Sequence, residues 1–131
     1  MEFVLTAHRF LRFVVLVFGI VGVLRSLVSL GTRDAKFMRF DETLIRAYTG
    51  ALDLQTLAGI ILVLMLIGQP GASVPWIHPI FMLPAVVVAH LSRRFRGRPD
   101  RERHIRHLGL YTGSLVLIGI GLAVIGQLRL L

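Results

Sequence analysis

The sequence predicts an all-α integral membrane protein built as a bundle of four transmembrane helices, and three observations lead to that class. The chain of 131 residues is 55% hydrophobic with a mean hydropathy of +0.76, too apolar for a soluble domain and too short for a second compact unit. Four apolar runs, at about 8–30, 46–68, 75–91 and 108–128, each approach the length that crosses a hydrocarbon core of about 30 Å. The links between them differ in charge: the first and third are basic and the second is neutral. Under the positive-inside tendency both basic links face the cytoplasm and both termini face outward, giving one N-out, C-out domain over residues 1–131.

Span one, with Arg12 near one end and Arg25 near the other, keeps both arginines away from mid-membrane. No small-residue cleavage motif follows its apolar run, which Arg25 interrupts, so it reads as a retained span and not a signal peptide. The link from Gly31 to Arg46 carries Arg33, Lys36, Arg39 and Arg46 against Asp34, Asp41 and Glu42, and Asp41 is placed to N-cap the next helix. Span two encloses a carboxylate, Asp53, about 10 Å beyond Arg46. A QPGASV turn follows, and Pro75 suits the first turn of span three.

Span three holds only His78 and His90 as ionisable groups between Pro75 and Leu91, about 25 Å of helix. Pro84 removes a backbone bond to the carbonyl of Ile80, and a bend is expected there. Beyond it Arg93, Arg94, Arg96, Arg98, Arg101, Arg103 and Arg106 face only Asp100 and Glu102, a composition that stays out of lipid. Span four carries Gly109 and Gly113 in GxxxG spacing, with Gly119 and Ala123 repeating it, a pattern that lets helix backbones approach.

The formal net charge of +8 is confined to links between apolar runs, with no aromatic and basic surface interleaved. That argues for anionic lipid head groups at the cytoplasmic face, at about 1 kcal/mol for each basic residue near the surface, and against nucleic acid. The absence of cysteine excludes disulfides, thiolate metal sites, iron–sulfur clusters and covalently attached haem. No phosphate-binding glycine loop, nucleophile elbow or zinc-protease helix is present, so hydrolase and transferase chemistry have no residues to stand on.

The titratable groups that remain fall into two layers. At the outer end His8 and Arg12 share one face of span one, and His78 and Met82 share one face of span three. If those spans are diagonal in the bundle, His8 and His78 can ligate one iron, as a metal pair for a b-type haem, with Arg12 near a propionate. At the cytoplasmic end His90 and His107 are a second candidate pair, about 18 Å from the first along the helix. A straight helix turns His90 about 120° away from His78, and Pro84 is expected to correct part of that. The plain alternative for His8, His104 and His107 is an interfacial histidine at a helix end, in contact with water or head groups. Arg25 and Asp53, at nearly matching depths, are expected to form an intramembrane ion pair, with Gln55 on the opposite face free to bond another helix or a ligand.

The segments LTAHRFLRF, DLQTLAG, HPIFM and RHIRH together resemble a family of small bacterial four-helix membrane proteins, some of them labelled cytochrome b-like. The resemblance spans nearly the whole chain and implies roles for His8, Arg12, Asp53, Gln55, His78, Met82 and His107. It departs at Ile77, where many relatives carry an acidic residue, and at Phe13, where many carry Trp. The expectation is a haem b electron-transfer component of the bacterial inner (cytoplasmic) membrane. The competing expectation is a cofactor-free accessory subunit, packed against a larger respiratory or photosynthetic complex, against other membrane subunits or against copies of itself. A small transporter using Asp53 and Arg25 is a poorer third, because no internal repeat is present.

Overall fold

The computed structural model describes residues 1–126 and is all-helical among them. Its elements are α1 (Glu2–Leu30), α2 (Arg39–Ile67), α3 (Ile77–His90), a short 3-10 helix (Leu91–Phe95) and α4 (Asp100–Val124). Helices α1, α2 and α4 are long and apolar enough to cross a membrane. Such a helix satisfies its own backbone, which is why apolar runs of this length have no other stable form in lipid. The 14 residues of α3 rise only about 21 Å.

All four helix starts differ from the sequence expectation, α1 beginning at Glu2 and not near residue 8. Helix α2 begins at Arg39, well before residue 46, because Asp41 and Glu42 occupy its first turn, where carboxylates oppose the helix dipole. Asp41 is therefore inside the helix, and its carboxylate accepts the backbone N–H of Met38 at 2.8 Å, closing the turn from within. Helix α3 starts at Ile77, leaving Pro75 just outside, and runs unbroken through Pro84. Helix α4 begins at Asp100, so most of the arginine-rich link is helical. The expected end of span four at Leu128 lies outside the described residues. In the link from α2 to α3, Gly71 takes φ +78°, a conformation that glycine adopts without steric cost.

Helix α1 packs against α2 and α4, α3 packs against α4, and the seam between α2 and α3 is the thinnest. Helices α1 and α3 thus stand on opposite corners. The core joins Val15, Leu44, Tyr48, Ala85, Tyr111 and Ile118, among others. At its centre Tyr48 Oη donates to Ser114 Oγ at 2.8 Å, and Ser114 Oγ donates to the Ala85 carbonyl at 3.0 Å. This chain ties α2, α4 and α3 with every hydroxyl proton used, as a buried polar group requires. Gly22 permits the Tyr111 ring to lie on the α1 backbone, a place that a Cβ would occupy.

Packing is uneven along the bundle. No residue is fully buried before Val15 in α1, after Ala58 in α2, before Ala85 in α3 or after Leu122 in α4. The end that carries the basic links is tightly closed, and the opposite end is looser.

Candidate functional site

The tight end is organised by Asp41, which is 5% exposed. Arg25 Nε donates to Asp41 Oδ1 at 2.8 Å and Nη2 to Oδ2 at 3.3 Å, a two-point contact from the last turns of α1 to the first turn of α2. His104 stands 4.0 Å from the same carboxylate and gives its Nε2 proton to the Lys36 carbonyl at 3.0 Å. Phe37 packs against His104 and His107, with ring centroids 5.1 and 4.9 Å away, and the Arg103 guanidinium lies over the Phe37 ring at 3.6 Å from its centroid. A cavity of about 10 Å³ lies among Arg25, Asp41, His104, His107 and Tyr111, the size of a single water.

This geometry corrects two expectations. Arg25 is paired with Asp41 and not with Asp53, because the connection between α1 and α2 is short and returns the chain at the depth of Arg25. Asp53 lies about 21 Å along α2 from Arg39, far past that level. It instead accepts the Nε2 proton of His90 at 2.8 Å across the thin seam between α2 and α3. His90 and His107 likewise make no pair. His90 faces Asp53, whereas His107 is 4% exposed and buried between Phe37 and Tyr111. His104 and His107 are core residues, not interfacial ones.

The loose end holds the second polar centre. His8 on α1 meets Gln55 on α2, Nε2 to Nε2 at 3.1 Å. His78 on α3 gives its Nδ1 proton to the Gly121 carbonyl on α4 at 3.2 Å. A carbonyl only accepts, so the proton of neutral His78 sits on Nδ1 and its Nε2 carries a lone pair. His78 and Arg12 both lie near His8. Arg12 also stacks on Phe13 at 5.0 Å. Met82 lies against Gly121 of α4.

The pairing of His8 with Gln55 is incomplete. His8 Nδ1 and Gln55 Oε1 are both buried without a hydrogen-bond partner. Reversing the amide moves the deficit and does not remove it: Oε1 then accepts from Nε2–H, and His8 Nδ1 and the Gln55 amide protons are left instead. An unmet buried polar group costs about 1–3 kcal/mol, so this layer favours a further polar ligand. The sequence placed Gln55 as a residue that bonds across helices; His8 as its partner followed from no spacing. No family model, curated protein or solved structure matches this chain.

Proposed function

We propose that this protein is a small electron-transfer component of the bacterial cytoplasmic membrane that carries one b-type haem on His8 and His78, with four spans and both termini outside. The imidazoles of His8 and His78, each turned against a polar group of a neighbouring helix at the looser end of the bundle, are the observation that carries this reading. The two imidazoles belong to helices on opposite corners, from which they would hold one haem between them in a bundle. His78 fits the role: its outer nitrogen is held by a carbonyl, the arrangement by which proteins fix the tautomer and orientation of a ligating histidine. His8 fits it once Gln55 releases its Nε2. Arg12, one turn along α1, supplies a cation for the haem carboxylates, and Met82 an apolar wall.

A bound haem supplies reversible one-electron chemistry. The chain's own contribution is to hold both imidazoles on rigid helices and to keep water from the site through the packed layer beneath it, Val15, Tyr48, Ala85 and Ile118. A count of four spans depends on α3, whose 14 residues fall short of a core of about 30 Å, with Arg93 and Arg94 reaching back to the interface. The orientation rests on the basic links at the opposite end from His8 and His78.

The test is an absorption spectrum of protein purified from haem-replete cells. A Soret band that is lost in both His8→Ala and His78→Ala is expected; a colourless wild-type preparation overturns the reading. A second reading, an accessory subunit without a cofactor, draws on the open surface at Gly109 and Gly119, where nothing stands within 4 Å of an added Cβ. Co-purification with a large membrane complex and no chromophore supports it.

A further inference from the structure

A cleft of about 190 Å³ opens at the basic end, between the start of α2 and the 3-10 helix after α3. It is lined by Glu42, Arg46, Thr49, Ser92, Arg93 and Arg96, with Ile45 as its apolar floor. At about 30 Å³ for each water, that is room for roughly six, ample for a tetrahedral oxyanion.

Its charge is unbalanced. Glu42 is the only carboxylate in the lining, and it is already engaged from outside the cleft by Arg103, Nη2 to Oε2 at 3.0 Å. Arg46 shares its other oxygen at 3.1 Å, and Arg96 reaches it only at 3.9 Å. Among the described residues Arg93 joins no ion pair. Guanidinium groups on two separate elements therefore face one space with a single, shared counter-charge. Ser92, a hydroxyl-bearing residue that is 7% exposed, lines the same wall. Thr49 gives its hydroxyl proton to the backbone carbonyls of Ile45 and Arg46, so it contributes shape and not a donor. Planar guanidinium forks and a buried hydroxyl are the donor set that recognises phosphate.

We infer that this cleft binds the phosphate of an anionic phosphodiester, an anionic phospholipid head group, with Arg93, Arg96 and Ser92 as its principal donors and Arg46 closing the α2 side. The position suits a lipid: the cleft lies at the basic end of the bundle, beside the apolar surface that α2 and α3 leave exposed at Leu54, Leu57 and Val87. The inference needs α2 and α3 to cross a bilayer and does not depend on the haem assignment. It is more local than the general attraction of basic links for an anionic leaflet, because it names a cavity and leaves other arginines out.

The full chain in detergent is titrated with phosphatidylglycerol, with phosphatidylcholine and with inorganic phosphate, and bound ligand is counted by native mass spectrometry. One phosphatidylglycerol per chain is expected, with phosphatidylcholine bound about tenfold or more weakly. The double variant Arg93→Gln/Arg96→Gln is expected to lose about tenfold or more in phosphatidylglycerol affinity, while Arg98→Gln/Arg101→Gln, an equal change of charge away from the cleft, keeps it. Thermal unfolding checks that both variants are folded, and Ser92→Ala, which changes no charge, should weaken binding severalfold. Competition by inorganic phosphate at concentrations comparable to the lipid assigns the same anion site to a soluble phosphate and overturns the lipid. Equal losses in both double variants, or no preference for phosphatidylglycerol over phosphatidylcholine, overturn the site.

Discussion

Arg25 and Asp41 face each other across the turn from α1 to α2, Nε to Oδ1 at 2.8 Å, with the carboxylate nearly sealed from solvent. The same carboxylate caps the backbone of Met38, so one side chain fixes both the start of α2 and its angle to α1. Removing one partner of such a buried pair leaves an uncompensated charge, a loss of about 3 kcal/mol. Asp41→Ala is therefore expected to unfold far below the wild-type temperature in the same detergent. Asp53→Ala removes a half-exposed carboxylate bound, among the described residues, to His90, and its shift should be much the smaller. Equal shifts would mean that Asp41 does not organise this end.

How much of this was legible in sequence depends on the kind of signal. Long apolar runs and basic links specify helices wherever they occur, so the number of helices and the positions of three apolar spans could be read directly. Partners across helices could not, because they depend on where each helix starts. Taking α2 to begin near residue 46 placed Asp53 opposite Arg25; with α2 beginning at Arg39 that place belongs to Asp41. His104 and His107 looked interfacial because they were placed at the end of a helix. Yet α4 is already helical from Asp100, and its 3.6-residue period turns both toward Phe37.

Tyr48, Ser114 and Ala85 form a chain of hydrogen bonds in which the middle hydroxyl both donates and accepts. Tyr48→Phe removes one bond, for about 1 kcal/mol, whereas Ser114→Ala strands a buried phenol, for about 1–3 kcal/mol. The double variant should be less destabilised than the sum of the two, since no phenol is then left stranded. A thermodynamic cycle measured by denaturant unfolding checks this; strict additivity would show that the two hydroxyls are not coupled.

Glycines in these helices are not equivalent. A methyl group at Gly22 would overlap the Tyr111 ring, itself locked in the core, and Gly22→Ala is expected to cost about 1–3 kcal/mol. Gly50 on α2 has nothing within 4 Å of an added Cβ, so Gly50→Ala should be neutral or stabilising by up to about 1 kcal/mol through helix propensity. Thermal unfolding of the two variants in parallel separates them, and the reverse order would contradict the close approach of α1 and α4.

His8 is held by Gln55 through the nitrogen that would have to bind iron. Ligation must then break that contact, at about 1 kcal/mol for a neutral hydrogen bond, or about fivefold in affinity. Gln55→Leu removes the competitor and keeps the volume, so haemin titration of the variant should show about fivefold tighter binding with the same Soret position. His78 offers the contrast. Its Nδ1 proton is anchored on the Gly121 carbonyl, away from the lone pair, and a change that disturbs this anchor, Gly121→Ala, should weaken binding. If Gln55→Leu binds haemin more weakly than wild type, Gln55 is part of the site and not a competitor for it, and iron ligation by His8 through Nε2 is excluded.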